Sequence, residues 1–297
     1  MQPKQEIVNL CVIGHPDKDV PTVFDDTQQS VAFLLRASGI TPLINRNRVD
    51  PNLTNILWGT GSHHSPPFEE IRRHCNAANT IIFNMEQIAS DSPLAGSDYC
   101  EFLKGFRVFD YSIHNIRALR KLFPSMKAEE FPLIPSPAFS FDHPSFFSKP
   151  QYHFGFYGSI NARRAQILER LKINGVRLKI ITDKYGKDLA EELRECHAVL
   201  NIHAYDACVF ETARALRPVS MGIPIVSEIS HLPQIINWNH APIEFIEYGE
   251  LVDYCIATTK SNFNNLKSKQ FRNPDFLHKY FRNPDLFESI RLLLGFN

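Results

Sequence analysis

The chain has 297 residues, enough for about two domains of ordinary size. Apolar residues make up 43% of the sequence and charged residues 22%, which excludes a mainly disordered protein. The 32 Lys and Arg residues balance the 32 Asp and Glu residues, so no net positive charge draws the chain to a polyanion. We therefore expect no nucleic-acid partner.

The sequence predicts a cytoplasmic protein without a membrane span. No apolar run approaches the roughly 18 residues that a transmembrane helix needs. Residues 1–6 are polar and lead directly into a strand-like run, unlike a signal peptide. The six cysteines are scattered without a CxxC pair, as expected of buried thiols in a reducing compartment. The apolar stretch 286–296 is expected to dock on a domain, and a peripheral membrane contact stays open.

Short apolar runs alternate with amphipathic segments in the first half. Residues 7–13 predict a strand, and residues 28–38 predict a helix with Asp25 or Thr27 as its cap. Further strands are predicted at 42–45, 55–58, 80–84 and 107–109, followed by a helix through 113–119. This alternation predicts a parallel sheet with helices on both faces.

The composition changes between residues 124 and 150, where six prolines prevent a long helix. Beyond them the alternation restarts, with predicted strands at 153–157, 176–182, 198–202, 223–226 and 243–246. We predict an α/β protein with two Rossmann-like domains, each built on a parallel sheet. Their predicted ranges are 1–135 and 151–270, separated by a linker over 136–150 and followed by a helical tail over 271–297.

One candidate binding segment runs from the end of a predicted strand into a predicted helix. Gly158 permits close approach of a ligand to the backbone, and the free amides of the helix N-terminus favour phosphate. Arg163 and Arg164 would add charge-assisted hydrogen bonds to a diphosphate. The alternative is a tight turn with Ser159 as the helix cap and two solvated arginines.

A second group of polar residues follows the next strands. Asn201 and His203 alternate on a strand end, and Glu211 and Arg214 share one face of the following helix. Glu228 follows the next strand. Ligands of parallel α/β sheets lie outside the carboxyl ends of the strands, so we expect these side chains to face a cleft between the domains. A helix-surface ion pair is the alternative reading of Glu211 and Arg214.

Three residues of the first half are candidate general bases. Glu86 and Asp110 lie at strand ends, where partial burial would raise the pKa of a carboxyl toward neutrality. Asp110 has an alternative role as a helix cap. His15 follows the first strand in a loop, where a lone histidine is more often structural or solvated than a base. The histidines form no spaced ligand set such as HExxH, so we expect no metal site.

Several segments resemble, in the same order along the chain, motifs of bacterial glycosyltransferase-like proteins. The clearest is YGSINARR at 157–164, followed by LNIH at 200–203 and FETAR at 210–214. The remaining matching segments are residues 24–25, 83–87, 109–112 and 224–228. The resemblance covers residues 23–228, which is most of the chain.

The resemblance implies a GT-B arrangement, in which two Rossmann-like domains face each other and the second holds a nucleotide-sugar. It implies transfer to a glycan or related acceptor, as in polysaccharide biosynthesis, with no metal and no cofactor besides the nucleotide-sugar co-substrate. It places Gly158, Ser159 and Arg163 near the phosphates. It also places His203, Glu211 and Arg214 near the sugar or ribose, with Glu86 facing the acceptor.

One departure from the pattern concerns the donor. Many related transferases carry a ribose-binding Glu five residues before the glycine of an A-x-G-x-P turn. Here the residue five before Gly222 is Arg217. Either Glu211 replaces that carboxylate or the donor is bound differently. Two alternatives to a transferase therefore stay open: a nucleotide-sugar epimerase on the same fold, and a silent nucleotide-sugar binding module.

Overall fold

A computed structural model gives the fold of the chain. It describes residues 6–15, 22–61, 65–88, 94, 96–142, 150–206, 209–232, 234–270 and 273–296. The described residues divide into two compact units. The first unit takes those within Met1–Leu133, Pro233–Ile235 and Asn283–Asn297, and the second takes those within Ile134–Leu232 and Ile236–Arg282.

The first unit is built on a six-stranded parallel sheet of order β2-β1-β3-β4-β5-β6. Its strands are β1 (Ile7–Val12), β2 (Thr41–Arg46), β3 (Thr54–Trp58), β4 (Thr80–Asn84), β5 (Arg107–Asp110) and β6 (Ala128–Glu130). The register pairs Asn84 with Asp110, so the carboxyl ends of β4 and β5 lie side by side. That pairing brings two polar side chains together beneath the loop that follows β4.

Four helices precede the second unit: α1 (Asp25–Ala37), α2 (Phe68–His74), α3 (Asp98–Leu103) and α4 (Ile113–Leu122). The predicted cap of α1 is wrong, since this helix has no side-chain cap. Thr27 instead donates its hydroxyl to the carbonyl of Phe24, and Asp25 forms an ion pair with Arg46. Buried apolar residues of α2, α3 and α4 cover one face of the sheet.

The second unit is built on a five-stranded parallel sheet of order β11-β10-β9-β7-β8. Its strands are β7 (Tyr152–Tyr157), β8 (Leu178–Ile181), β9 (Cys196–Asn201), β10 (Ile225–Glu228) and β11 (Ile243–Ile246). Its helices are α5 (Ala162–Ile173), α6 (Gly186–Arg194), α7 (Thr212–Ser220), α8 (Leu251–Lys260), α9 (Asn264–Gln270) and α10 (Asn273–Phe281). A short 3-10 helix, Pro137–Asp142, occupies part of the predicted linker.

The last helix, α11 (Pro284–Leu294), belongs to the first unit, where it packs on α1. Asn283 caps it, since its side-chain oxygen accepts from the amide of Leu286 at 3.0 Å. Arg291 anchors it through an ion pair with Glu6 at 2.7 Å and a hydrogen bond to the carbonyl of Ser38. The apolar C-terminal stretch thus docks on a unit, as predicted.

The α/β fold with two parallel sheets is the predicted one. The predicted boundaries at 135, 150 and 270 stay predictions, and residues 143–149 of the predicted linker lie outside the described residues. Within the described part of the chain, every helix is too short or too polar to span a bilayer.

Candidate functional site

Arg163 is the centre of an ion-pair network at the carboxyl ends of β9 and β10. Its guanidinium forms a bidentate pair with Glu228, and its Nε donates to Asp206 at 2.7 Å. One of its amino groups also donates to the carbonyl of His203 at 3.1 Å, and the guanidinium lies 3.8 Å from the ring centre of Tyr248. Every edge of this guanidinium is therefore engaged within the protein.

Glu228 links the Arg163 side chain to the main chain just beyond β9. Its Oε2 accepts from the amide of His203 at 3.0 Å as well as from Arg163 at 2.6 Å. The Glu228 side chain is buried, whereas the third partner, Asp206, is 92% exposed. The buried pair therefore holds the end of β9, and the exposed one adds little, because solvent screens it.

Arg164 is buried, which contradicts the alternative of two solvated arginines. Its side chain is 1% exposed, and it donates to the carbonyls of Ile202 at 2.8 Å and Ser159 at 2.9 Å. Its remaining amino group pairs with Glu211 at 2.9 Å. Ser159 is also not the cap of α5, because the Asn161 side chain accepts from the Arg164 amide at 3.0 Å.

Glu211 is shared between two arginines, as it also contacts Nε of Arg214 at 3.4 Å. Arg164, Arg214 and Glu211 together carry one net positive charge, whereas Arg163 faces the two carboxylates of Glu228 and Asp206. Arg214 lies directly against Gly158, where an added Cβ would come within 2.5 Å of its Nη2. Gly158 has a φ of +113°, so both the conformation and the space at this position favour glycine.

Three side chains of this region have buried polar atoms without hydrogen-bond partners among the described residues: Asn201 Oδ1, both ring nitrogens of His203, and Arg214 Nη1. His203 is 1% exposed. Burial lowers the pKa of its imidazole, which therefore carries one N–H donor and one acceptor. Gly158, which lies against Arg214, and Ser159 are exposed. Buried polar atoms thus lie close to exposed backbone at the end of β7.

Arg217 is buried. It occupies the position at which the resemblance leads us to expect a ribose-binding Glu. Its guanidinium lies 4.3 Å from the ring centre of Phe139 in the 3-10 helix. This stacking gives Arg217 a packing role within the second unit.

Glu86 follows β4 in the first unit and is half-buried. Burial raises the pKa of its carboxyl to about 7. Gly61 lies beside it, since a Cβ at Gly61 would come within 2.7 Å of Glu86 Cγ and 2.9 Å of Tyr99 Cζ. A carboxyl with a pKa near neutrality suits general-base chemistry.

Asp110 ends β5 and is fully buried. It accepts from the side-chain amides of Asn84 at 2.6 Å and Asn115 at 3.3 Å, and from the amide of Ser112 at 2.7 Å. Burial raises the pKa of Asp110 to about 7, against the opposing effect of these hydrogen bonds. Ser112, not Asp110, caps α4, because its hydroxyl accepts from the amide of Asn115.

His15 lies elsewhere on the same sheet. It follows β1, which is separated from β4 by β3, whereas Asn84 and Asp110 are paired in register. The two carboxyls thus share one end of neighbouring strands. In the described part of the chain, no group of three or more His, Cys, Asp and Glu side chains is arranged to hold a metal ion.

Sequence reasoning missed several members of these networks. Tyr248 and Asp206 contact Arg163 from positions 85 and 43 residues away, and no local pattern identifies them. Asn84 lies within one of the matching segments, and its position at a strand end was the signal that could have identified it.

Sequence comparison finds relatives in a virus. No known family model matches the chain. Two proteins of Acanthamoeba polyphaga mimivirus, uncharacterized proteins L137 and L140, are 32% identical over 151 residues and 28% identical over 181 residues. These matches cover 50% and 59% of this chain, but 20% of L137 and 57% of L140, so the chain spans less than two thirds of either relative. The bacterial origin implied by the resemblance is not confirmed.

Solved structures share the fold over nearly the whole chain. An α-glucosyltransferase in complex with UDP and DNA has a TM-score of 0.62 at 8% identity, and WaaG, a glycosyltransferase of lipopolysaccharide biosynthesis, has 0.55 at 12%. A T4 phage BGT variant in complex with UDP-glucose has 0.53 at 12%. Each match covers 97% of this chain and 99% of the other. The predicted GT-B fold, with two Rossmann-like domains, is therefore confirmed.

Proposed function

We propose that this chain is a glycosyltransferase that moves a sugar from a nucleotide-sugar donor to a hydroxyl group of a glycan or related acceptor. The observation that carries the proposal is the set of unpartnered buried polar atoms on Asn201, His203 and Arg214. Leaving such an atom without a partner costs about 1–3 kcal/mol. Several together, at the carboxyl ends of parallel strands, favour a polar ligand bound in that place.

The charge of the region favours a diphosphate. Arg214 shares the carboxylate of Glu211 with Arg164, and an anion beside Arg214 would pair directly with its guanidinium. Arg214 Nη1 has a free hydrogen-bonding position, whereas the Arg163 guanidinium is engaged by Glu228 and Asp206. We therefore propose Arg214, together with the exposed backbone at Gly158 and Ser159, as the diphosphate contact. Arg163 keeps a supporting role.

Neutral polar groups beside this charge suit the sugar or the ribose. The neutral imidazole of His203 offers one donor and one acceptor, and Asn201 Oδ1 offers an acceptor. These are the partners that hydroxyl groups require. Glu228 accepts from the His203 amide and Arg163 donates to its carbonyl, so the main chain from which the ring extends is fixed.

We propose that Glu86 serves as the general base in an inverting transfer. Its carboxylate takes the proton of the acceptor hydroxyl while the acceptor oxygen forms a bond to the anomeric carbon of the donor. The bond from that carbon to the diphosphate breaks, and its electron pair leaves with the nucleoside diphosphate. The pKa of Glu86, about 7, leaves it partly ionised at neutral pH and suited to this step.

The positive charge that stabilises the departing diphosphate comes, in this proposal, from Arg214 and the amides near the start of α5 rather than from a metal. Turnover is expected to be unchanged by excess EDTA. A loss of turnover with EDTA that Mn²⁺ or Mg²⁺ restores contradicts this part of the proposal.

Donor binding is tested by a thermal-shift panel of nucleoside diphosphates and nucleotide-sugars. A ligand at one hundred times its Kd stabilises the folded state by about 2.7 kcal/mol. We expect one base to raise the Tm selectively, and the shift to be lost in Arg214→Ala. Arg170→Ala, which removes an exposed arginine from the last turn of α5, is the control and keeps the shift. No shift with any nucleotide contradicts the proposal.

Transfer is tested by release of nucleoside diphosphate from the selected donor. Glycan acceptors are expected to support release beyond the rate in water. Because one structural neighbour was solved with DNA, duplex DNA containing hydroxymethyl bases forms a second arm of the assay. Conversion of the donor sugar without any acceptor indicates an epimerase, and binding without turnover indicates a silent module.

A further inference from the structure

The main chain at Glu86 is held by two buried asparagines. The Asn84 side chain accepts from the Glu86 amide at 3.1 Å and donates to the Glu86 carbonyl at 2.8 Å. The side-chain amide of Asn115 donates to the same carbonyl at 3.0 Å. Both peptide groups that flank the Glu86 Cα are thus fixed, and they set the direction in which its side chain leaves the backbone.

Both asparagines donate hydrogen bonds to one carboxyl group, that of Asp110. Asp110 Oδ2 accepts from Asn84 Nδ2, and Asp110 Oδ1 accepts from Asn115 Nδ2. Each NH₂ group therefore spans Asp110 and the Glu86 carbonyl with its two hydrogens. In its ionised form Asp110 only accepts, and it then requires the NH₂ end of each amide to face it.

The opposite ends of the two amides are used as well. Asn84 Oδ1 accepts from the hydroxyl of Tyr99 at 2.9 Å in addition to the Glu86 amide, and Asn115 Oδ1 accepts from the amide of Ile88 at 3.0 Å. A reversed amide would place an NH₂ group against these donors. The network is consistent in only one orientation, and Asp110 selects it.

We propose that Asp110 is a positioning residue for Glu86: its carboxylate orients the side-chain amides of Asn84 and Asn115, which in turn hold the Glu86 main chain. Asp110, which the sequence offers as a second candidate base, thus takes a different role, since its oxygens are buried and engaged by three donors. The inference rests on the proposed function only where it names Glu86 as the base.

The first test needs no enzymatic activity. The side-chain carboxyl resonance of Glu86, assigned by its absence in Glu86→Gln, is titrated by ¹³C NMR in the full chain. We expect a midpoint near 7 in the wild type and a midpoint at least one pH unit lower in Asp110→Asn, because the released loop exposes the carboxyl to solvent. Asn115→Ala keeps the charge of Asp110 and is expected to give the same direction of shift, which separates positioning from charge repulsion.

The matched control is Asn9→Asp, the reverse exchange of amide and carboxyl in another buried network of the same sheet. Asn9 donates to Asn55 Oδ1 at 2.7 Å and to the carbonyl of Arg48 at 2.9 Å, on strands β1 and β3. This variant is expected to lower the Tm while leaving the Glu86 midpoint near 7. Should Asp110→Asn fail to fold, Asn115→Ala carries the same measurement. An unchanged midpoint in the folded variants overturns the proposal.

The second test is a kinetic cycle. Asp110→Asn is expected to lower kcat about 10- to 100-fold with an unchanged KM for the donor, and to have no further effect in the Glu86→Gln background. Multiplying effects in the double variant overturn the positioning role. If the wild type shows no transferase turnover, the proposed function fails, and the NMR titration still decides whether Asp110 positions Glu86.

Discussion

The carboxyl ends of the two sheets carry acidic side chains in opposite surroundings. In the first unit, Asp110 is surrounded by amide donors, and Glu86 lies against Gly61 and Tyr99. Burial raises the pKa of both carboxyls to about 7, at Asp110 against the opposing effect of its hydrogen bonds. Such groups gain and lose a proton near neutral pH.

In the second unit, the acidic side chains contact guanidinium groups instead. Glu228 pairs with Arg163, and Glu211 is shared by Arg164 and Arg214. Ion pairs of this kind fix side-chain geometry and leave a local excess of positive charge beside Arg214. In the proposed function, proton transfer falls to the first unit, where carboxyls have raised pKa values, and anion binding falls to the second, where carboxylates pair with arginines.

The largest expected effect is that of Glu86→Gln, which tests proton transfer in the first unit. Glu86→Gln removes the group that accepts the proton, and loss of a general base typically lowers the rate about 10²- to 10⁴-fold. We expect kcat to fall by that factor with little change in the Kd of the donor. Glu101→Gln, an exposed acid on α3, is the control. Full turnover in Glu86→Gln indicates a retaining transfer that needs no base there.

The next effect concerns the ion pairs of the second unit. Glu228→Ala leaves the half-buried Arg163 guanidinium without its buried bidentate partner, and breaking such a pair costs about 3 kcal/mol. Asp206→Ala removes another carboxylate from the same arginine, but at an exposed position worth less than about 1 kcal/mol. Urea unfolding of both variants measures the difference. Equal losses mean that the buried pair does not hold the end of β9.

Local patterns in the sequence predict the strand ends, and with them most of the site. Glu86, Asn201 and Glu228 lie at the ends of short apolar runs, and such runs predict buried strands from local sequence alone. The helices α2 and α3 were not predicted, because seven and six residues make fewer than two full turns and show no clear period of 3.6. The three-residue strand β6 is shorter still.

The partners of the charged residues lie beyond any local pattern. Arg164 is expected on a surface from its charge alone, yet it is buried because Glu211, 47 residues away, and the carbonyl of Ile202 satisfy it. Arg163 meets Glu228 across 65 residues. Burial of a charge depends on a partner that only the folded sheet brings close, so the sequence predicts the residues of the site and not their roles.

A smaller effect sharpens the anion-binding side of the comparison. Gly158→Ala adds a Cβ that would come within 2.5 Å of Arg214 Nη2, in a backbone conformation with φ of +113°. Gly175→Ala imposes similar backbone strain at a φ of +75°, where a Cβ meets open space. We expect donor Kd to rise about 10-fold in the first variant only, which corresponds to about 1.4 kcal/mol. An equal change in both shows that Arg214 does not contact the donor.

The smallest expected effect is a pH dependence of stability, and its sign follows from the raised pKa of Glu86. Between about pH 4.5 and 7 the folded protein keeps a proton that the unfolded chain has lost. The free energy of unfolding therefore falls as pH rises through this window. Glu86→Gln is expected to lessen the fall between pH 5 and 8 by about 1 kcal/mol, a figure reduced for a half-exposed side chain. Urea titrations at both pH values measure it. Gly175→Ala, which lowers stability without removing a carboxyl, is the control and keeps the full pH dependence of stability. The same pH dependence in Glu86→Gln would mean that burial does not hold this proton. The carboxylates of the two units would then differ only in their ion pairing.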